Sequence, residues 1–232
     1  MRTIVRVYLA GLFRVEGRER MPVRGGVLVC SNHASTVDPP LLPAFLPRSD
    51  SWSMAKSEYF DHWLTRWLFT RYHAFPVVRH TPDRAAIRRS IEILNGGGTL
   101  VIYPEGTRYD TWADDHGIAA ERRTRPELRT AEPGAGFLAR ATGAVVQPVA
   151  LLGTRDCFPQ GARWPHRVPV EMRFGAPIRI RERRPDGRRI SNQEAADAIM
   201  LAIAEELPEP MRGEYADVSS LRRRLEGVAQ LA

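Results

Sequence analysis

Apolar and polar positions along the chain follow two periods, and their succession predicts strands alternating with helices. Residues 26–31 (Gly-Val-Leu-Val-Cys-Ser) form a compact apolar run after a Gly-Gly pair, the pattern of a buried strand. Residues 99–103 read the same way. Further strands are expected at 12–15, 51–55, 75–78, 144–152 (interrupted by Pro148) and 168–174. Helical spacing takes over between them. Phe60, Trp63, Leu64, Trp67 and Leu68 recur at i, i+3, i+4, i+7 and i+8, one face of a helix. Residues 83–95 form an amphipathic helix closed by three glycines, and 134–142 form another. Asp38-Pro39-Pro40 reads as a helix start. Ser191-Asn192-Gln193-Glu194 is a capping box opening a helix to about residue 207, and 218–231 is the last amphipathic helix. Residues 109–131 are polar and without clear period, so a long loop or lid is expected.

This alternation predicts a layered α/β fold: one domain over 1–232, with a central, mostly parallel or mixed β-sheet flanked by helices. A core at 12–180 would be preceded by an amphipathic segment at 1–14 and followed by C-terminal helices at 191–232. Motifs at the carboxyl ends of strands lie where such sheets bind ligands.

Composition narrows the function classes. A hydrophobic content of 43% marks an ordinary globular chain. Two cysteines, Cys30 and Cys157, make neither a disulfide framework nor a zinc site, and the histidines show no metal-ligand spacing. The formal charge of +7 favours anionic partners. Its basic residues are scattered and fit no nucleic-acid-binding motif, so no nucleic acid partner is expected. Only one of the 34 basic residues, Lys56, is a lysine, which marks a position suited to a compact ammonium.

Four segments carry candidate chemistry. In Asn32-His33-Ala34-Ser35-Thr36-Val37-Asp38, a histidine and a carboxylate lie five positions apart across a strand-to-helix turn. Histidine suits proton abstraction from a hydroxyl, and a carboxylate beside it fixes the tautomer. In Tyr103-Pro104-Glu105-Gly106-Thr107-Arg108, the glycine lets backbone N–H groups approach a phosphate and Arg108 can grip two oxygens. Glu105 would orient Arg108 or the loop itself. Arg79 closes Phe75-Pro76-Val77-Val78-Arg79 and would enter the same crevice. Val145-Val146-Gln147-Pro148-Val149 reads equally as an acyl-site wall or a core strand. Cys30 reads as a buried strand residue, and no Gly-x-Ser-x-Gly elbow occurs.

In this order, the four segments resemble the lysophosphatidate acyltransferase (1-acylglycerol-3-phosphate O-acyltransferase) family over about residues 12–180. The resemblance implies a one-step transfer in phospholipid synthesis. His33, held by Asp38, deprotonates the acceptor hydroxyl, which attacks an acyl thioester and gives phosphatidate. It implies acyl-CoA or acyl-carrier protein as donor, with no cofactor and no metal. Arg79, Glu105, Gly106, Thr107 and Arg108 would hold the acceptor's phosphate. Met54-Ala55-Lys56-Ser57-Glu58 matches an Ala-Lys-x-Glu segment of the family, which adds Lys56. The chain departs from the pattern at His73 (usually Gly), Tyr109 (usually Ser), Glu132 (usually basic) and in the length of 109–131. These departures leave open the same transfer to a different lysolipid or lipid-like alcohol. A non-catalytic, anionic-lipid-binding relic of the fold is the reading from another class.

No apolar run approaches the roughly 18–20 residues that span a bilayer, and no signal peptide is evident. Peripheral attachment to the cytoplasmic face of the membrane is therefore expected. The segment 1–14 and the Phe60–Leu68 face are the candidate contacts; core packing is the other reading of each.

Overall fold

The computed structural model describes residues 12–78, 83–118, 126–159, 162–164 and 166–232. Its sheet has nine strands among these residues. In chain order they are β1 (Phe13–Glu16), β2 (Val27–Ser31), β3 (Ser51–Lys56), β4 (Ala74–Val77), β5 (Thr99–Ile102), β6 (Val145–Leu152), β7 (Val170–Phe174), β8 (Ile178–Ile180) and β9 (Ala229–Leu231). The order across the sheet is β1-β7-β6-β2-β5-β3-β4, with β8 pairing β6 and β9. Strands β6, β2, β5, β3 and β4 run parallel. β7 and β8 are antiparallel to β6.

The helices are α1 (Asp38–Phe45), α2 (Trp63–Arg71), α3 (Arg84–Asn95), α4 (Tyr109–Asp115), α5 (Pro133–Thr142), α6 (Thr154–Cys157), α7 (Asn192–Glu205) and α8 (Val218–Arg224). Strand β2 lies in the middle of the sheet and is buried throughout. Its side chains alternate between two cores, as a strand requires. Leu28 and Cys30 pack with residues of α3, α5 and α7, whereas Val27 and Val29 pack with Leu42 of α1. Strand β6 divides its residues likewise: Val146 and Ala150 on one side, Val149 and Leu151 on the other. The segment 145–149 is thus a core strand.

Helices α5 and α7 approach closely because Gly136 faces α7. A Cβ there would lie 2.0 Å from the Asn192 carbonyl oxygen and 2.7 Å from Ala196 N. Helix α7 starts at the expected capping box: Ser191 Oγ accepts from Glu194 N, and Glu194 Oε2 accepts from Ser191 N.

Two expected elements differ. The last helix stops at Arg224 instead of reaching 231. Gly227 turns the chain at φ 76°, and residues 229–231 pair with β8. Covering an open strand edge outweighs the helical spacing of Leu225 and Val228. The described parts of 109–131 are also packed rather than open. Helix α4 buries Tyr109, Asp110 and Ala113, and after it Leu128, Arg129 and Ala131 are buried. Leu128 N donates to Met211 O at 3.0 Å, tying this stretch to the C-terminal region. Residues 1–11, and with them most of the expected N-terminal helix, lie outside the described residues.

Gly136→Ala should cost about 1–3 kcal/mol by forcing α5 off α7. Urea denaturation followed by circular dichroism measures it; unchanged stability would show that the helices separate freely.

Candidate active site

The site forms where β2 and β5 end. These neighbours are parallel, so residues after Ser31 and Ile102 emerge at the same edge of the sheet. Asn32 anchors the first loop. Its amide Nδ2 donates to Leu151 O at 2.9 Å, and its Oδ1 accepts from Leu151 N at 2.8 Å. The side chain thus continues the β2–β6 ladder by one step before the chain turns.

The turn brings His33 and Asp38 together. Asp38 opens α1 and has no exposed surface. Its Oδ2 accepts from His33 Nδ1 at 2.9 Å, Ala34 N at 2.8 Å and Ser35 N at 2.7 Å. A buried carboxylate needs such donors to offset lost hydration. The contact selects the tautomer with the proton on Nδ1 and leaves Nε2 the basic nitrogen. His33 is 7% exposed, and its ring stacks on Tyr103 with centroids 4.1 Å apart. Burial, together with the Asp38 charge, pushes the Tyr103 phenol upward and keeps it neutral.

The second loop braces the first from beneath. Glu105 Oε1 accepts from His33 N at 3.0 Å, while Tyr109 N donates to His33 O at 3.0 Å. The partner of Glu105 is Arg129, not Arg108: Arg129 Nε lies 3.1 Å from Glu105 Oε2. Arg129 also donates to Thr107 O, and its guanidinium sits over the Trp112 ring. Burial pushes the Glu105 carboxyl up to about 7, with the Arg129 charge acting in the opposite direction. Sequence reading missed Arg129 because it sits in a charged segment without periodicity. Only the structure shows that its neighbours Leu128 and Ala131 are buried with it.

The other expected site residues are distributed unevenly. Gly106 has φ 74°, and a Cβ on it would meet Glu132 Cγ at 3.0 Å. Its N–H is committed to Tyr103 O at 3.0 Å, so the glycine serves a tight turn rather than presenting that N–H to a ligand. Arg108 is the N-cap residue of α4, half-buried next to the Tyr109–His33 contact. Among the described residues, no hydrogen bond or ion pair engages its guanidinium. Lys56 ends β3, two strands from β2 and so roughly 10 Å across the sheet. It pairs with Glu58 at 2.8 Å. Arg79 lies outside the described residues. Cys30 is buried among apolar side chains, which push its thiol up and leave it unreactive. Among the described residues, no group of His, Cys, Asp and Glu side chains has the form of a metal site.

The model of a family described simply as Acyltransferase matches residues 12–152. The chain belongs to that family. The matched span contains both motif loops, from β1 through β6. Among relatives, the 1-acyl-sn-glycerol-3-phosphate acyltransferase of Bacillus subtilis (strain 168) is 33% identical over 101 residues, which cover 43% of this chain and 50% of that protein. The chloroplastic 1-acyl-sn-glycerol-3-phosphate acyltransferase LPAT1 of Arabidopsis thaliana is 25% identical over 162 residues, covering 68% and 41% respectively. The chain thus spans about half the length of the curated relatives it matches. The crystal structure of the 1-acyl-sn-glycerophosphate (LPA) acyltransferase PlsC from Thermotoga maritima superposes with a TM-score of 0.63 at 23% identity. That match covers 88% of this chain and 76% of the other, and it shows the same fold.

The Glu105–Arg129 pair generates a prediction about pH. The folded carboxyl titrates near 7, above its ordinary 4.5. Its contribution is therefore fully present below about pH 4.5 and is lost as pH rises through about 7. Glu105→Gln should remove that part of the stability decline, as read from urea midpoints across this window. An identical pH slope in wild type and variant would contradict the assignment. Arg129→Leu should cost about 3–5 kcal/mol, because it leaves Glu105 buried without its cation.

Proposed function

We propose that this acyltransferase moves a fatty acyl group from an acyl thioester to the free hydroxyl of 1-acylglycerol-3-phosphate, giving phosphatidate. The observation that carries the reading is the buried His33–Asp38 contact of 2.9 Å at the sheet's carboxyl edge. The activities in the names of the Bacillus and Arabidopsis relatives supply the acceptor. The donor would be acyl-CoA or acyl-carrier protein.

In this mechanism His33 Nε2 takes the hydroxyl proton as the oxygen attacks the thioester carbonyl. Asp38 stabilises the imidazolium that results. Collapse of the tetrahedral intermediate expels the thiolate, which recovers the proton from His33. The guanidinium of Arg108, on the loop tied to His33 through Tyr109, is the first candidate to hold the acceptor phosphate, with Arg79 and Lys56 as further candidates. Glu105 and the Gly106 N–H brace that loop, and Thr107 stays a candidate contact to the acceptor. None of the described helices is long and apolar enough to cross a membrane. The enzyme would meet its lipid substrate by peripheral contact at the cytoplasmic face.

Purified protein incubated with a labelled acyl thioester and a panel of lysolipids, with products identified by mass, tests this directly. Phosphatidate as main product is expected; acylation of another lysolipid alone would reassign the acceptor. His33→Ala should lower turnover by roughly 10²–10⁴. Arg108→Ala should raise the acceptor KM about tenfold or more with little change for the donor. A defect confined to the donor would contradict its role.

A further inference from the structure

None of the nine residues of helix α2 is buried, and all but Thr65 and Phe69 are exposed. Trp63 and Trp67 are 73% and 62% exposed, and Leu64 and Leu68 beside them are 49% and 41% exposed. Of the face read in the sequence, Phe60 alone packs inward, at 8% exposure, while these four face out. Four large apolar side chains at i, i+1, i+4 and i+5 form one stripe, and such exposed stripes mark interaction surfaces. Tryptophan is the residue that favours the head-group level of a bilayer.

The same helix carries positive charge. Trp63, Arg66, Trp67 and Arg71 line an open recess of about 610 Å³. Two guanidiniums face one carboxylate there, that of Asp61. Arg66 is oriented by donating from Nε to Phe60 O at 2.9 Å. The recess therefore suits a phosphate more than a cation. Position also matters. The helix connects β3 to the parallel edge strand β4, so it begins at the edge of the sheet where His33 emerges. A stripe of four side chains is small for a stable dimer, which buries about 800 Å² per partner, and self-association would set arginines against arginines.

We propose that α2 is the surface on which the enzyme rests on an anionic bilayer. Trp63, Leu64, Trp67 and Leu68 enter the interface, and the recess between Arg66 and Arg71 holds the phosphate of a lipid head group. This rests on the lipid acceptor proposed above, and it names the face through which the site meets the membrane.

Co-sedimentation of the full chain with vesicles tests it, using phosphatidylcholine alone and phosphatidylcholine mixed with phosphatidylglycerol. Wild type should bind the mixed vesicles more tightly, and less so as salt rises. The double variant Trp63→Ala/Trp67→Ala should lose binding by roughly tenfold or more. Arg71→Glu should weaken binding to the anionic vesicles selectively. The proposal is overturned if wild type binds neither vesicle, or if the double variant binds as wild type does. It is also overturned if that variant changes only self-association in light scattering, which would make a second copy the partner. Acyl transfer to a detergent-dispersed acceptor is read separately. Its absence would sink the proposed reaction without touching the docking surface.

Discussion

The buried carboxylate of Asp38 sets the terms for everything around it. A charge with no solvent contact persists in a protein only where donors replace its water. Three converge on one oxygen, from the His33 ring and from two successive backbone amides. Meeting all three requires the chain to fold back on itself between the end of β2 and the start of α1. That turn holds only if its two sides are fixed. Asn32 fixes one to β6, and the first turn of α1 fixes the other. The imidazole is thereby held in one tautomer, and in its proposed role as base it would lose no entropy in reorienting.

A second buried carboxylate supports the first loop from the neighbouring strand. Glu105 holds the backbone of His33 with one oxygen and Arg129 with the other. The two carboxylates have different tasks. Asp38 acts on the ring, whereas Glu105 locks the height of the main chain beneath it. Arg129 then ties this brace to Thr107 and to the stretch docked against Met211. The loop bearing Arg108 is consequently part of the same rigid unit as His33.

Much of this was legible in the chain. Strands β2 and β5 announced themselves because a buried parallel strand is a short, uninterrupted apolar run, and both end in motif residues. The spacing of His33 and Asp38 across a strand-to-helix turn allowed their contact, and the companion segments at 75–79 and 103–108 singled the pair out. The capping box at Ser191 specified the start of α7 by purely local chemistry. What was not legible depended on distant partners. Glu105 and Arg129 are 24 residues apart, and a charged stretch gives no sign that one of its arginines is buried. Helix α4 escaped because its apolar positions, Tyr109, Trp112 and Ala113, cover little more than one turn. The C-terminal strand β9 escaped because an exposed edge on β8 captured it, a tertiary effect that overrides helical spacing. The face of α2 was visible as a stripe, but only burial distinguishes a stripe that packs inward from one that faces out.

The central claim is that Asp38 holds the His33 imidazole with its proton on Nδ1, leaving Nε2 to act as the base. Nitrogen-15 NMR on histidine-labelled protein tests this directly, with the His33 signals assigned by their loss in His33→Gln. The account predicts a protonated Nδ1 and an unprotonated Nε2 in neutral His33, and loss of that single tautomer in Asp38→Asn. A proton resident on Nε2 in the wild type, or a spectrum indifferent to Asp38→Asn, would contradict it.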